Sequence, residues 1–251
     1  LNQSDRVMIK SMQGSDVAGI YSLAYSVASI MTIVNTAVIN TLTPWMYKKM
    51  KKEEYAEIGR NSIPILILIA FANFCLVALA PEAVAIMAPK SYYDAIWVIP
   101  PVAAGTFFIF MYSLFSRFEF YFERTRFMMI ASVAGACMNV LLNYIFIPIY
   151  GYYAAGYTTL VCYMLYCIGH YLLMRIINKT LMNNTRVYNV KVIFGISAVF
   201  LVGCAVMMSL YTHMFIRWGV LLVVCAYFVW KREKFISLLK MMKAEKKGKK
   251  A

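Results

Sequence analysis

With 251 residues, 62% of them hydrophobic and only 14% charged, the chain lies far from a soluble domain, where about a quarter of residues carry charge. A formal net charge of +14 would suit a nucleic-acid partner, but the basic residues sit in short clusters between apolar runs. Composition therefore excludes a nucleic-acid-binding domain and assigns the chain to the lipid bilayer.

The chain opens on Leu1 without a basic, apolar, small-residue leader, and is expected to be the C-terminal piece of a longer protein. Residues 1–18 read as the end of a truncated preceding span plus an outer loop. Asp5 and Arg6 stand side by side there, either as a salt-bridged anchor or with Arg6 free to meet an anionic headgroup at a cavity wall. Gly19 to Trp45 follows without a single charge, long enough for a tilted span closed by Pro44 and Trp45. Ser22, Ser26, Ser29, Thr32, Thr36, Asn40 and Thr43 recur along it at spacings of three and four, which collects them on one face. Such a seam either packs on small neighbours or lines a wet cavity.

The basic stretch 46–60 reads as an interfacial helix or a solvated connector. A second span is expected at Ser62–Ala80, then a loop over 81–94 with room for a short re-entrant apolar piece, then a third at Ala95–Ser116 broken near its outer end by Pro100 and Pro101. Glu119 and Glu123, one helical turn apart among Arg117, Arg124 and Arg126, read as a salt-bridged cytoplasmic loop, the alternative being a catalytic pair. Fourth and fifth spans are expected at Phe127–Ile147 and Tyr152–Met174, so that residues 19–174 form a five-helix unit. A linker at 175–191 leads to two further helices within 192–230 and a basic tail at 231–251.

All Lys and Arg residues except Arg6, Lys10, Lys90 and Arg217 fall on one side of these seven spans, which places that side and the C-terminus in the cytoplasm. The acids all lie at expected span ends, in loops or in the tail, so no ionisable group is expected at mid-membrane. His170 and His213 read as interfacial residues, and the six cysteines as small buried hydrophobes. The fourth span carries Ala131, Gly135, Asn139 and Asn143 at four-residue steps, a pattern for helix packing or for a secondary cavity. Gly151, Ala155 and Thr159 extend the same small-residue logic into the fifth. No phosphate loop, nucleotide fingerprint or nucleophile elbow is present, and neither catalysis nor a cofactor or metal is expected.

The segment SDRVMIK followed by a short loop and GIYSLAYSVASI resembles the seventh-to-eighth helix junction of polysaccharide flippases. These belong to the multidrug/oligosaccharidyl-lipid/polysaccharide exporter superfamily. NVLLNYIFIPIYGYYAAGYTTLVCYMLY is similar to a helical hairpin of the same family. The resemblance implies an all-α polytopic membrane protein of seven transmembrane helices, the second lobe of a two-lobed, alternating-access flippase. It implies polyprenyl-pyrophosphate-linked oligosaccharide as cargo, the bacterial inner membrane as location, and polysaccharide or O-antigen biosynthesis as the process served. Expected partners are the bilayer, a missing N-terminal lobe and the polysaccharide polymerase machinery. Asp5, Arg6, Ser22, Tyr25, Ser26, Ser29, Thr36 and Asn40 would line the substrate cavity, with Met207 and Met208 near the polyprenyl chain. A drug/cation antiporter of the same superfamily and a non-transporting scaffold for glycan assembly are the alternatives.

Overall fold

The computed structural model describes residues 2–233 and 236–237; Leu1 and most of the basic tail expected at 231–251 lie outside the described residues. Among the described residues the order is α1 (Asn2–Gln13), α2 (Ser15–Lys51), α3 (Tyr55–Ala78), α4 (Ala80–Met87), a 3-10 helix (Lys90–Trp97), α5 (Ile99–Tyr121), α6 (Thr125–Tyr150), α7 (Tyr153–Leu181), α8 (Val190–Ser209) and α9 (Met214–Trp230). Six of these, α2, α3, α5, α6, α7 and α8, are long and apolar enough to cross a membrane, and α9 is a shorter apolar helix of 17 residues. The architecture is that of an all-helical, polytopic membrane protein.

The helices outrun the apolar stretches that mark them in sequence. Pro44 does not close α2, which continues to Lys51 and reaches 37 residues, about 55 Å against a hydrocarbon core of about 30 Å. The excess carries the basic cluster, so 46–60 is neither a separate interfacial helix nor a loop. Its connector shrinks to 52–54, where Glu53 takes a left-handed turn. Lys49, buried on the last turn of α2, folds that turn onto α3 through Glu54 at 2.6 Å and Glu57 at 2.8 Å. Likewise α5 runs to Tyr121 and α7 to Leu181, leaving 122–124 and 182–189 as connectors. Pro100 and Pro101 do not break a span. They occupy the first turn of α5, where a missing N–H costs nothing, and the expected loop before them is folded into α4 and the 3-10 helix.

The centre of the bundle is α5, packed against α2, α3 and α7. Its Phe107, Phe110, Phe115 and Phe118 are fully enclosed, whereas α6 and α9 show most of their apolar side chains to the outside. Close packing, rather than water exclusion, holds such helices together in lipid. Two glycines show where it is tightest. A Cβ on Gly135 would sit 2.1 Å from the Tyr166 ring, so α7 lays that tyrosine directly on the α6 backbone. A Cβ on Gly59 would sit 1.7 Å from the Val187 carbonyl oxygen, where the 182–189 connector crosses α3. Gly59→Ala is expected to push this connector off and cost about 1–3 kcal/mol. A lower unfolding midpoint in detergent checks it, with Gly219→Ala, which meets open space, as the neutral control.

Candidate functional site

The end of the bundle that holds the Gly14 and Gly151 turns is opposite the basic connectors. From Gly14, α1 descends between α2, α6 and α7, and its Asp5 is completely buried. Tyr21 and Thr159 donate their hydroxyls to Asp5 Oδ2 at 2.8 Å each, and Asn143 Nδ2 donates to Oδ1 at 2.6 Å. A second ring of bonds holds those donors. Asn139 Nδ2 donates to Thr159 Oγ1 at 3.0 Å, Ser4 Oγ donates to Asn139 Oδ1 at 3.2 Å, and Thr158 donates to Asn143 Oδ1. Four helices thus converge on one carboxylate.

Its depth follows from helix geometry. Asn143 and Thr159 are each eight residues from Gly151 and Asp5 is nine from Gly14, about 12–14 Å along a helix. The acid therefore lies within the apolar thickness of the bundle, not at a span end, and the expectation of no buried ionisable group is corrected. Nor is Asp5 paired with Arg6. Successive side chains on a helix diverge by about 100°, and Arg6 turns instead to α2, its guanidinium carbon 5.5 Å from the centre of the Tyr25 ring. Arg6 is half-buried, has no acid partner among the described residues, and its Nε lacks a hydrogen-bond acceptor.

Next to Arg6 runs the polar seam of α2. Ser26, Thr32, Thr36 and Asn40 are exposed, and Ser22, Tyr25, Ser29 and Thr43 are half-buried. The face turned into the bundle is a different one, made by Tyr21, Ala24, Ala28, Met31, Asn35, Ile39 and Leu42. The seam therefore does not pack on small neighbours within this bundle. Its hydroxyl hydrogens bond back to their own helix, Ser22 to Ala18 O at 2.7 Å, Ser26 to Ser22 O at 2.8 Å, Ser29 to Ser26 O at 2.7 Å and Thr36 to Thr32 O at 2.8 Å. Their oxygen lone pairs remain directed outward as acceptors. Pro44, with no N–H, frees the Asn40 carbonyl one turn earlier. The face also carries Ile30, Ile33 and Val34, so it is amphiphilic rather than uniformly polar.

Other expectations change in the same way. Glu119 is no loop residue but a buried side chain of α5, 2.7 Å from Nδ1 of an equally buried His170 on α7, with Tyr112 and Tyr166 stacked on the imidazole; Glu123 stays on the connector. Arg217, expected at the outer end of the seventh span, is buried on α9 and bonded to Glu82, to which Trp218 Nε1 also donates at 3.1 Å. Met207 faces the core, so it is not placed to meet a lipid chain; an apolar cavity of about 420 Å³ lies instead between α3, α8 and α9, against Phe71, Phe74 and Phe228. Cys137 is exposed, unlike buried Cys162, Cys167 and Cys204.

No family profile, curated protein or solved structure matches this chain. The site must therefore be judged on its own chemistry. Reasoning from sequence passed over Tyr21 and Thr158, and also a second buried chain, in which Asn35 Nδ2 donates to Thr106 O at 2.8 Å and Thr106 Oγ1 to Asn73 Oδ1 at 2.6 Å. A lone Asn inside an apolar run was the available signal, since an amide in hydrocarbon needs a partner.

Proposed function

We propose that the protein is a flippase that moves polyprenyl-pyrophosphate-linked oligosaccharide across the bacterial inner membrane for polysaccharide or O-antigen synthesis. In this reading α9 completes seven spans and the basic connectors face the cytoplasm. The bundle is one lobe of an alternating-access transporter, with its second lobe facing α2. The observation that carries it is the outward polar face of α2 with Arg6 beside it. A membrane helix gains nothing by turning serine, threonine and asparagine to lipid. A wet cavity uses them: the outward lone pairs accept sugar hydroxyls, the amide of Asn40 offers both donors and an acceptor, and the guanidinium pairs with pyrophosphate.

The expected consequence is specific to charge at residue 6. Arg6→Ala should lower export of a polyprenyl-pyrophosphate glycan by about tenfold, equivalent to about 1.4 kcal/mol, while Arg6→Lys keeps a larger share. The measurement is the appearance of the glycan to a lectin outside proteoliposomes. Wild-type export in both variants would leave Arg6 as an anchor only.

Buried Asp5 favours a second reading, the cation-driven drug antiporter of the same superfamily. An acid held inside a membrane bundle by neutral donors can exchange a proton or a small cation for cargo. Efflux of a cationic drug that needs Asp5 but is indifferent to Arg6 would select that reading over the flippase.

A further inference from the structure

We propose that the basic end of the bundle carries a structural binding site for a phospholipid with a primary-ammonium, ethanolamine-type headgroup. A cavity of about 220 Å³ opens there between the end of α5, the start of α6 and the last turns of α7. It is lined by Glu119, Arg124, Phe127, Leu173, Ile176 and Thr180. Glu119 is fully buried, and only one of its carboxylate oxygens is used. Oε1 meets His170 Nδ1, whereas Oε2 has no hydrogen-bond partner. A buried acceptor without a donor costs about 1–3 kcal/mol, so the site is built for a donor supplied from outside the chain.

The other lining groups decide what that donor is attached to. Arg124 stands on the short connector, its own N–H bonded to the Glu119 carbonyl at 2.8 Å and its side chain exposed. A bare cation would be drawn to Glu119 but repelled by the guanidinium, and a simple anion would meet the opposite difficulty. A zwitterion satisfies both, with its ammonium on Glu119 and its phosphate on Arg124. Phe127 and Ile176 are exposed beside the cavity and extend it as an apolar wall suited to acyl chains. A choline headgroup has the same charges but no N–H to give, so it should not fit. The inference requires only that the bundle is embedded in lipid and is independent of the cargo.

The intact protein in detergent, titrated with phosphatidylethanolamine, phosphatidylcholine or soluble phosphoethanolamine, tests this directly. Phosphatidylethanolamine should raise the unfolding midpoint by about 3–6 °C and remain bound in native mass spectra, while phosphatidylcholine should do neither. Arg124→Glu, on an exposed connector, should remove both the shift and the bound mass, and Glu119→Gln should do the same. His170→Asn should keep the lipid preference, which separates the site from the α5–α7 pair. Equal shifts with the two lipids, or a preference that survives both Arg124→Glu and Glu119→Gln, would overturn the proposal. A full shift with phosphoethanolamine alone would overturn the lipid as the ligand.

Discussion

Asp5→Asn is expected to abolish coupled transport and to lower the unfolding free energy by about 3–5 kcal/mol. The size follows from the donors around the carboxylate. Tyr21, Thr159 and Asn143 all point hydrogens at it, and hydrogen bonds to a charged group contribute about 1.5–3 kcal/mol each. Asparagine keeps the shape but replaces one acceptor oxygen with an NH2. Whichever way the amide is turned, that NH2 faces either Asn143 Nδ2 or the two hydroxyls, so at least one buried donor is left without an acceptor. Tyr21→Phe is the graded control: it removes one donor, leaves the carboxylate with two, and should cost about 1.5–3 kcal/mol. Unfolding in detergent measures both. Ion dependence of transport, measured in folded protein, distinguishes coupling from scaffolding. An Asp5→Asn variant with wild-type rate and wild-type ion dependence would reduce the network to a structural clamp.

This network shows why part of the fold was legible in the residue order and part was not. Hydrophobic length identified every helix that can span, and four-residue periodicity put Gly135, Asn139 and Asn143 on one face of α6. Those are properties of a single helix. Asp5 was misplaced because its burial is not local: α1 is short and polar enough to read as a loop border, and only packing against α2, α6 and α7 encloses it. Glu119 failed for a related reason. Surrounded in sequence by arginines, it reads as surface, yet the helical turn sends Arg117 and Glu119 to different sides and leaves the acid facing His170, fifty-one residues away. The proline readings erred in the opposite direction. Pro44 and Pro100 were given breaking power, but helix interiors in bundles absorb a missing N–H and first turns never need it. Period and length thus report on elements, while the ionisable groups report on contacts between them.

Replacing Ser26, Ser29 and Thr36 together by Leu should lower glycan export by more than tenfold while leaving stability within about 0.5 kcal/mol of wild type. The two halves of this expectation come from different features of the same face. Ser26 and Thr36 are exposed and Ser29 half-buried, and each hydroxyl bonds only to a carbonyl of its own helix, so leucine removes no contact between helices and has the better helix propensity. Folding is therefore spared. A surface turned to lipid would accept the leucines without any change in export. A cavity wall would not, since three isobutyl groups remove acceptors along nearly three turns and narrow the path past Arg6 and Tyr25. Normal export with normal stability would assign the seam to lipid or to a scaffold and remove the cavity. Lost export with an unchanged unfolding midpoint, read from the same preparation, would tie this face of α2, its acceptors and its open width together, to the passage of sugar.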